Sequence, residues 1–202
     1  MISLERLLSE TARVPSPTRA QRTRFVLAAL VLGVSPALMM LVSSGSATVT
    51  ALLKLLLVLA VTAPMVVLTL RLGSSVPPSR GLRAVVVLVA PAALLVGGAL
   101  SSLLGAPTLS VDPLHCLMHG FLGALPPGIA LCALVWRADP VHTGTAGALV
   151  GATAATAGQL AVMVLCPDAG AVHVLTAHVG AVLAGTAVGM VLSAALGLRH
   201  LP

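Results

Sequence analysis

Aromatic side chains are nearly missing from this chain: Phe25, Phe121 and Trp136 are the whole set, and there is no tyrosine. That removes the stacking platforms on which nucleic-acid binders hold bases. It also removes the full aromatic belt that marks many bilayer interfaces. Charge is scarce as well. Only 8% of the 202 residues are Asp, Glu, Lys or Arg, against roughly 25% in a soluble domain. A water-soluble fold of this size could not cover its surface with so few. The formal charge of +6 does not indicate nucleic-acid binding, because the basic residues are spread over segment ends and not gathered on one face. No apolar run holds an acidic residue, which argues against a proton-coupled carrier. Asp112 and Asp168 lie in loops without partners for acid–base work. The glycine-rich stretches follow no strand, so they are not phosphate loops. No enzyme constellation is present.

What the chain does have is hydrophobic length: 58% of its residues are hydrophobic and its mean hydropathy is +1.10. Apolar runs fall at about 25–42, 51–70, 84–104, 116–136, 144–165 and 172–196. Twenty helical residues rise about 30 Å, the hydrocarbon thickness of a bilayer. Nothing alternates in polarity as a β-barrel strand does. The expected fold is therefore all-α: a polytopic membrane protein with six transmembrane helices and short connections. A signal peptide is not expected, because 24 mostly polar residues precede the first run and apolar spans continue after it. Ten of the eleven Lys and Arg residues lie before span one, in the second and fourth loops, or after span six. The positive-inside rule then places both termini in the cytoplasm.

Span six carries Gly185, Gly189, Ser193 and Gly197 at steps of four, and span five carries Gly147, Gly151 and Ala155. Small residues at that spacing let helices approach closely, although an alanine-rich chain produces such matches often. Pro36, Pro64, Pro91, Pro126 and Pro127 fall inside spans and bend helices. Lys54 is the exception among the cations, one turn inside span two, where it can snorkel outward or act within the membrane. Gln159 is expected to join helices to one another. Cys132, deep in span four, is expected to be a buried structural residue.

The reactive side chains gather at the expected outer rim. Asp112, His115, Cys116 and His119 open span four, Cys166 and Asp168 close span five, and His173 and His178 open span six. His115 and His119 share a helix face. Three readings stand. Cys116 and Cys166 form a disulfide or a redox-switching thiol pair. Or thiolates and imidazoles bind a soft or borderline ion, Cu or Zn, with His115, Cys116, His119, Cys166 and His173 as the candidate ligands. Or all are ordinary interfacial residues.

At the other end, residues 2–10 (ISLERLLSE) put Leu4, Leu7 and Leu8 on one helical stripe, with Arg6 beside it. This helix is shorter than the roughly 12–15 residues needed for stability alone in water. It would lie on lipid or order against a cytoplasmic partner. Pro15 and Pro17 separate it from the membrane.

These pieces together resemble the NrsF (negative regulator of sigma F) family. The resemblance rests on LERLLSETARVPSP at the N-terminus and on Lys54 followed by an in-span proline (LLKLLLVLAVTAP). It rests also on HCLMHGFLGALPP in span four and on a small-residue span five closing on Cys-Pro-Asp. It implies a six-helix anti-sigma factor of the bacterial inner membrane that holds an extracytoplasmic-function sigma factor. Residues 1–24 would form the cytoplasmic sigma-binding segment, with Leu4, Leu7, Leu8 and Arg6 in contact, and 25–202 the membrane domain. Cys116 and Cys166 would match the family's signal-sensing pair. Leu53 and Leu165 stand where the family commonly has aromatics, beside Lys54 and Cys166. The histidines are not carried over from the family and favour a metal signal. Two alternatives remain: a small transporter or permease subunit, and a purely structural membrane subunit.

Overall fold

Segments of Leu, Val and Ala without charge are stable in lipid only if each closes its own backbone hydrogen bonds, which a helix does. In a computed structural model the described residues from Val49 onward form five helices. These are α1 (Val49–Leu72), α2 (Arg80–Leu103), α3 (Pro113–Ala138), α4 (Gly144–Leu165) and α5. Helix α5 begins as Ala171–His173, winds through a π-helical turn, Val174–Val179, and continues as Gly180–Leu198. The structure describes scattered positions between 21 and 42, then 49–72, 80–103, 111–138, 144–166, 168 and 170–198. There is no strand among the described residues. The expected first span is only partly described; Leu27, Val31 and Val42 within it are helical and exposed.

Three stretches are long and apolar enough to cross a membrane: Pro113–Val135, Gly144–Val164 and Ala171–Ala195. Three of the six expected spans are thus met among the described residues. Helix α1 contributes a shorter apolar stretch, Leu55–Thr69. The outer faces fit an apolar solvent. Leu122, Leu125 and Ile129 on α3, and Leu183, Val188 and Leu192 on α5, are all exposed. Water-soluble monomers rarely leave such contiguous apolar surface uncovered.

Helix α4 is the axis of the bundle. Its spanning window is 83% buried, against 33% for those of α3 and α5. Its sequence explains the position, since Ala152, Ala154, Ala155, Ala157 and Ala161 let neighbours close in on every side. A side chain at Gly147 would run into the Gly189 carbonyl and Ser193, and one at Gly151 into the Gly185 carbonyl. The small-residue code is therefore a backbone contact between α4 and α5. Gly158 makes the equivalent approach to the Gly120 carbonyl of α3. Gln159 joins helices as expected, through a 2.9 Å hydrogen bond to His178. Thr153 of α4 and Thr69 of α1 share another at 2.8 Å.

Helix ends follow local chemistry. Asp112 Oδ1 accepts the Leu114 N–H at 3.0 Å and its carbonyl accepts the His115 N–H at 3.0 Å. Pro113 sits at the first helical position, where its missing N–H costs nothing. Asp112, expected to be an idle loop residue, is thus the cap of α3. The proline at 167 ends α4, because the residue before a proline is pushed out of the helical region.

Cys132 corrects another expectation. It is exposed rather than buried, on the wall of an apolar cavity of about 520 Å³ between α3, α4 and α5. The inward stripe of α3 at that depth is Leu131, Leu134 and Val135, all buried. A helix turns about 100° per residue, so the neighbour of Leu131 falls off that stripe.

Candidate functional site

The first turn of α3, the end of α4 and the start of α5 meet at one end of the bundle. Cys116 and Cys166 bring their sulfurs to 3.6 Å there, as two free thiols. A disulfide needs about 2.05 Å, so the pair is in contact and unbonded. Val162 and Ala177 close around both, with Val111 at the edge. The cap on Asp112 fixes where α3 starts, and so fixes the height of Cys116. Cys166 follows the last residue of α4, and its thiol also points at the Asp168 carbonyl at 3.6 Å.

Helix α5 adds two imidazoles. His173 Nε2 lies 3.4 Å from Cys166 Sγ. On its other side His173 Nδ1 faces Asp168 Oδ2 at 3.4 Å, an ion-pair distance rather than a well-formed hydrogen bond. Asp168 is itself anchored, because its Oδ1 accepts the Gly170 N–H at 2.8 Å. His178 follows five residues after His173, and the two rings pack edge-on with centroids 5.4 Å apart. Gln159 Oε1 holds His178 Nδ1 at 2.9 Å. The amide of Gln159 lies against Gly120, where any Cβ would collide with it. One donor atom each from Cys116, Cys166, His173 and His178 falls within 4.8 Å of the others, and all four residues are buried. This is a possible metal site.

Of the five ligands expected from the sequence, the structure gathers Cys116, Cys166 and His173. His115 and His119 are exposed and stand apart. Their rings meet at a tilt of 40° with centroids 4.2 Å apart, with His119 Nδ1 against the His115 carbonyl at 2.9 Å. His178 was not among the expected ligands. Five residues along an α-helix is a rotation of about 140° past a full turn, which puts 173 and 178 on different faces. The π-helical turn closes i to i+5 and returns them to one face. No local sequence signal announces that winding. Lys54 lies in α1, but its side chain is outside the described residues. Leu4, Arg6, Leu7 and Leu8 are outside them too.

The whole length of this arrangement falls within a known family: the model of NrsF, negative regulator of sigma F, matches residues 8–199. The chain belongs to the NrsF family. No curated protein and no solved structure matches it. Membership makes the protein a negative regulator of a sigma factor rather than an enzyme, with a sigma factor as its partner. Within that NrsF frame, the thiol–imidazole cluster is the feature with chemistry of its own.

Proposed function

We propose that this protein is an anti-sigma factor of the bacterial inner membrane. It holds an extracytoplasmic-function sigma factor and releases it when a metal or an oxidant reaches its Cys/His cluster. The observation that carries this is the buried contact of Cys116 with Cys166 inside a chain of the NrsF family. Two thiols on different helices, 50 positions apart, are brought together by the fold, so a change in their bonding shifts α3 against α4. In this reading the chain has six spans with both termini inside, the cluster faces the periplasm and residues 1–24 lie in the cytoplasm. That segment binds the sigma factor through Leu4, Leu7 and Leu8, with Arg6 at the edge. The remaining cytoplasmic loops are too short for a sizeable interface. Lys54 sits at the inner boundary of the bilayer and is a candidate for passing the shift on.

The test has two arms. A pull-down from membranes with residues 1–24 deleted should lose the sigma factor; undiminished retention would remove the docking role. Cys116→Ser and Cys166→Ser should each abolish induction of the sigma regulon by metal or oxidant, and a normal response in both would remove the sensing role.

A further inference from the structure

The proposed function leaves the signal as a metal or an oxidant, and the geometry of the cluster favours the metal. A tetrahedral ion with metal–sulfur bonds of about 2.3 Å and metal–nitrogen bonds of about 2.05 Å sets two sulfurs about 3.8 Å apart and sulfur and nitrogen about 3.5 Å apart. The structure has 3.6 Å between the sulfurs and 3.4 Å between Cys166 Sγ and His173 Nε2. These two separations suit an ion held between the donors, and the full set of four, within 4.8 Å of one another, would draw in by about 1 Å at its widest to close around it. A disulfide would need the sulfurs to close by about 1.5 Å.

The outer contacts agree. A histidine that ligates through one ring nitrogen almost always has the other held by an oxygen, which sets its tautomer and its aim. Here His178 Nδ1 is held by Gln159 Oε1 at 2.9 Å, and His173 Nδ1 faces Asp168 Oδ2 at an ion-pair distance of 3.4 Å. Both are therefore prepared to ligate through Nε2. Asp168 and Gly170, beside the cluster, are only partly buried.

We infer that Cys116, Cys166, His173 and His178 form a four-coordinate Cys2His2 site for a divalent d10 ion such as zinc, with Asp168 and Gln159 as positioning residues. Charge selects the divalent ion. Each thiol gives its proton to water as the ion enters, so two protons leave. Two thiolates, two neutral imidazoles and a 2+ ion then sum to zero, the state a buried apolar site tolerates best. A monovalent ion would balance only one thiolate, so the second sulfur would keep its proton and be a weak donor. The inference rests on the proposed function only in taking this cluster as the responsive site.

The test uses the full-length chain in detergent with reduced thiols, and cobalt as the visible probe. One equivalent should bind with the intense bands of tetrahedral coordination, release two protons and be displaced by zinc. Cadmium NMR of the wild-type chain should report two sulfur and two nitrogen donors. His178→Ala should weaken cobalt binding by more than the roughly 10–100-fold that outer-shell changes cost. Gln159→Leu should weaken it by about 10–100-fold and Gln159→Glu should restore most of it. No stoichiometric binding, or a cadmium spectrum without two nitrogens, overturns the site whether or not the variants fold. Unchanged affinity in His178→Ala overturns the fourth donor. A chain that binds the ion as described but holds no sigma factor even when ion-free would instead sink the anti-sigma reading and leave this site standing.

Discussion

The three cysteines share a chemistry and differ in what surrounds them. Cys116 and Cys166 are 4% and 8% exposed and enclosed by Val162 and Ala177, whereas Cys132 faces outward from α3. A membrane-permeant maleimide should therefore label Cys132 first, by a factor of at least about ten, because access limits thiol reactions as much as thiolate fraction does. Mass spectrometry of briefly treated membranes reads the ratio, and equal labelling of all three would contradict the burial. Cys132→Ser should leave signal response intact. The sequence identified Cys116, Cys166 and His173 from their place at span ends. It did not reveal the surroundings of Cys132, because one residue of helical rotation decides between core and outer face.

At the scale of the element, the π-helical turn is the unusual part. Val174–Val179 holds one residue more than an α-helical turn would, and that surplus sets His173 and His178 on one face. Deleting the exposed Thr176 should let the segment wind as α-helix. The histidines then stand four apart, still on one face, and the rest of α5 keeps its register against α4. Deleting Val188 instead breaks the four-residue step between Gly185 and Gly189. Thermal unfolding in detergent should show the Thr176 deletion tolerated and the Val188 deletion strongly destabilised, by about 3 kcal/mol or more. Equal damage from both would contradict the wide turn. Apolar length made most of α1 to α5 legible to within a few residues. The turn was not, since π winding arises from packing rather than from a residue code.

For the whole molecule, small residues on α4 decide the architecture. The Gly185 carbonyl occupies the space a side chain at Gly151 would need. That obstacle is backbone and cannot move aside as a flexible side chain could. Gly151→Ala should cost about 1–3 kcal/mol by overpacking, read as a lowered midpoint of unfolding in detergent. An alanine tolerated there without loss would mean that α4 and α5 do not meet backbone to backbone. The same approach brings Gly158 against Gly120 and seats Gln159 under His178. Packing of the axis helix and construction of the cluster are therefore one problem.

Composition alone determined that this chain is helical and apolar-solvated, because lipid leaves a polypeptide few other ways to satisfy its backbone. Local patterns determined which side chains gather at one end and which small residues face another helix. Tertiary structure decided that Cys116 and Cys166 touch and that His178 rather than His115 or His119 completes the cluster. It also turned Cys132 outward. The physical reason is the same in each case. Hydropathy and spacing constrain a helix along its axis, whereas the rotation of its side chains is set only when another helix packs against it.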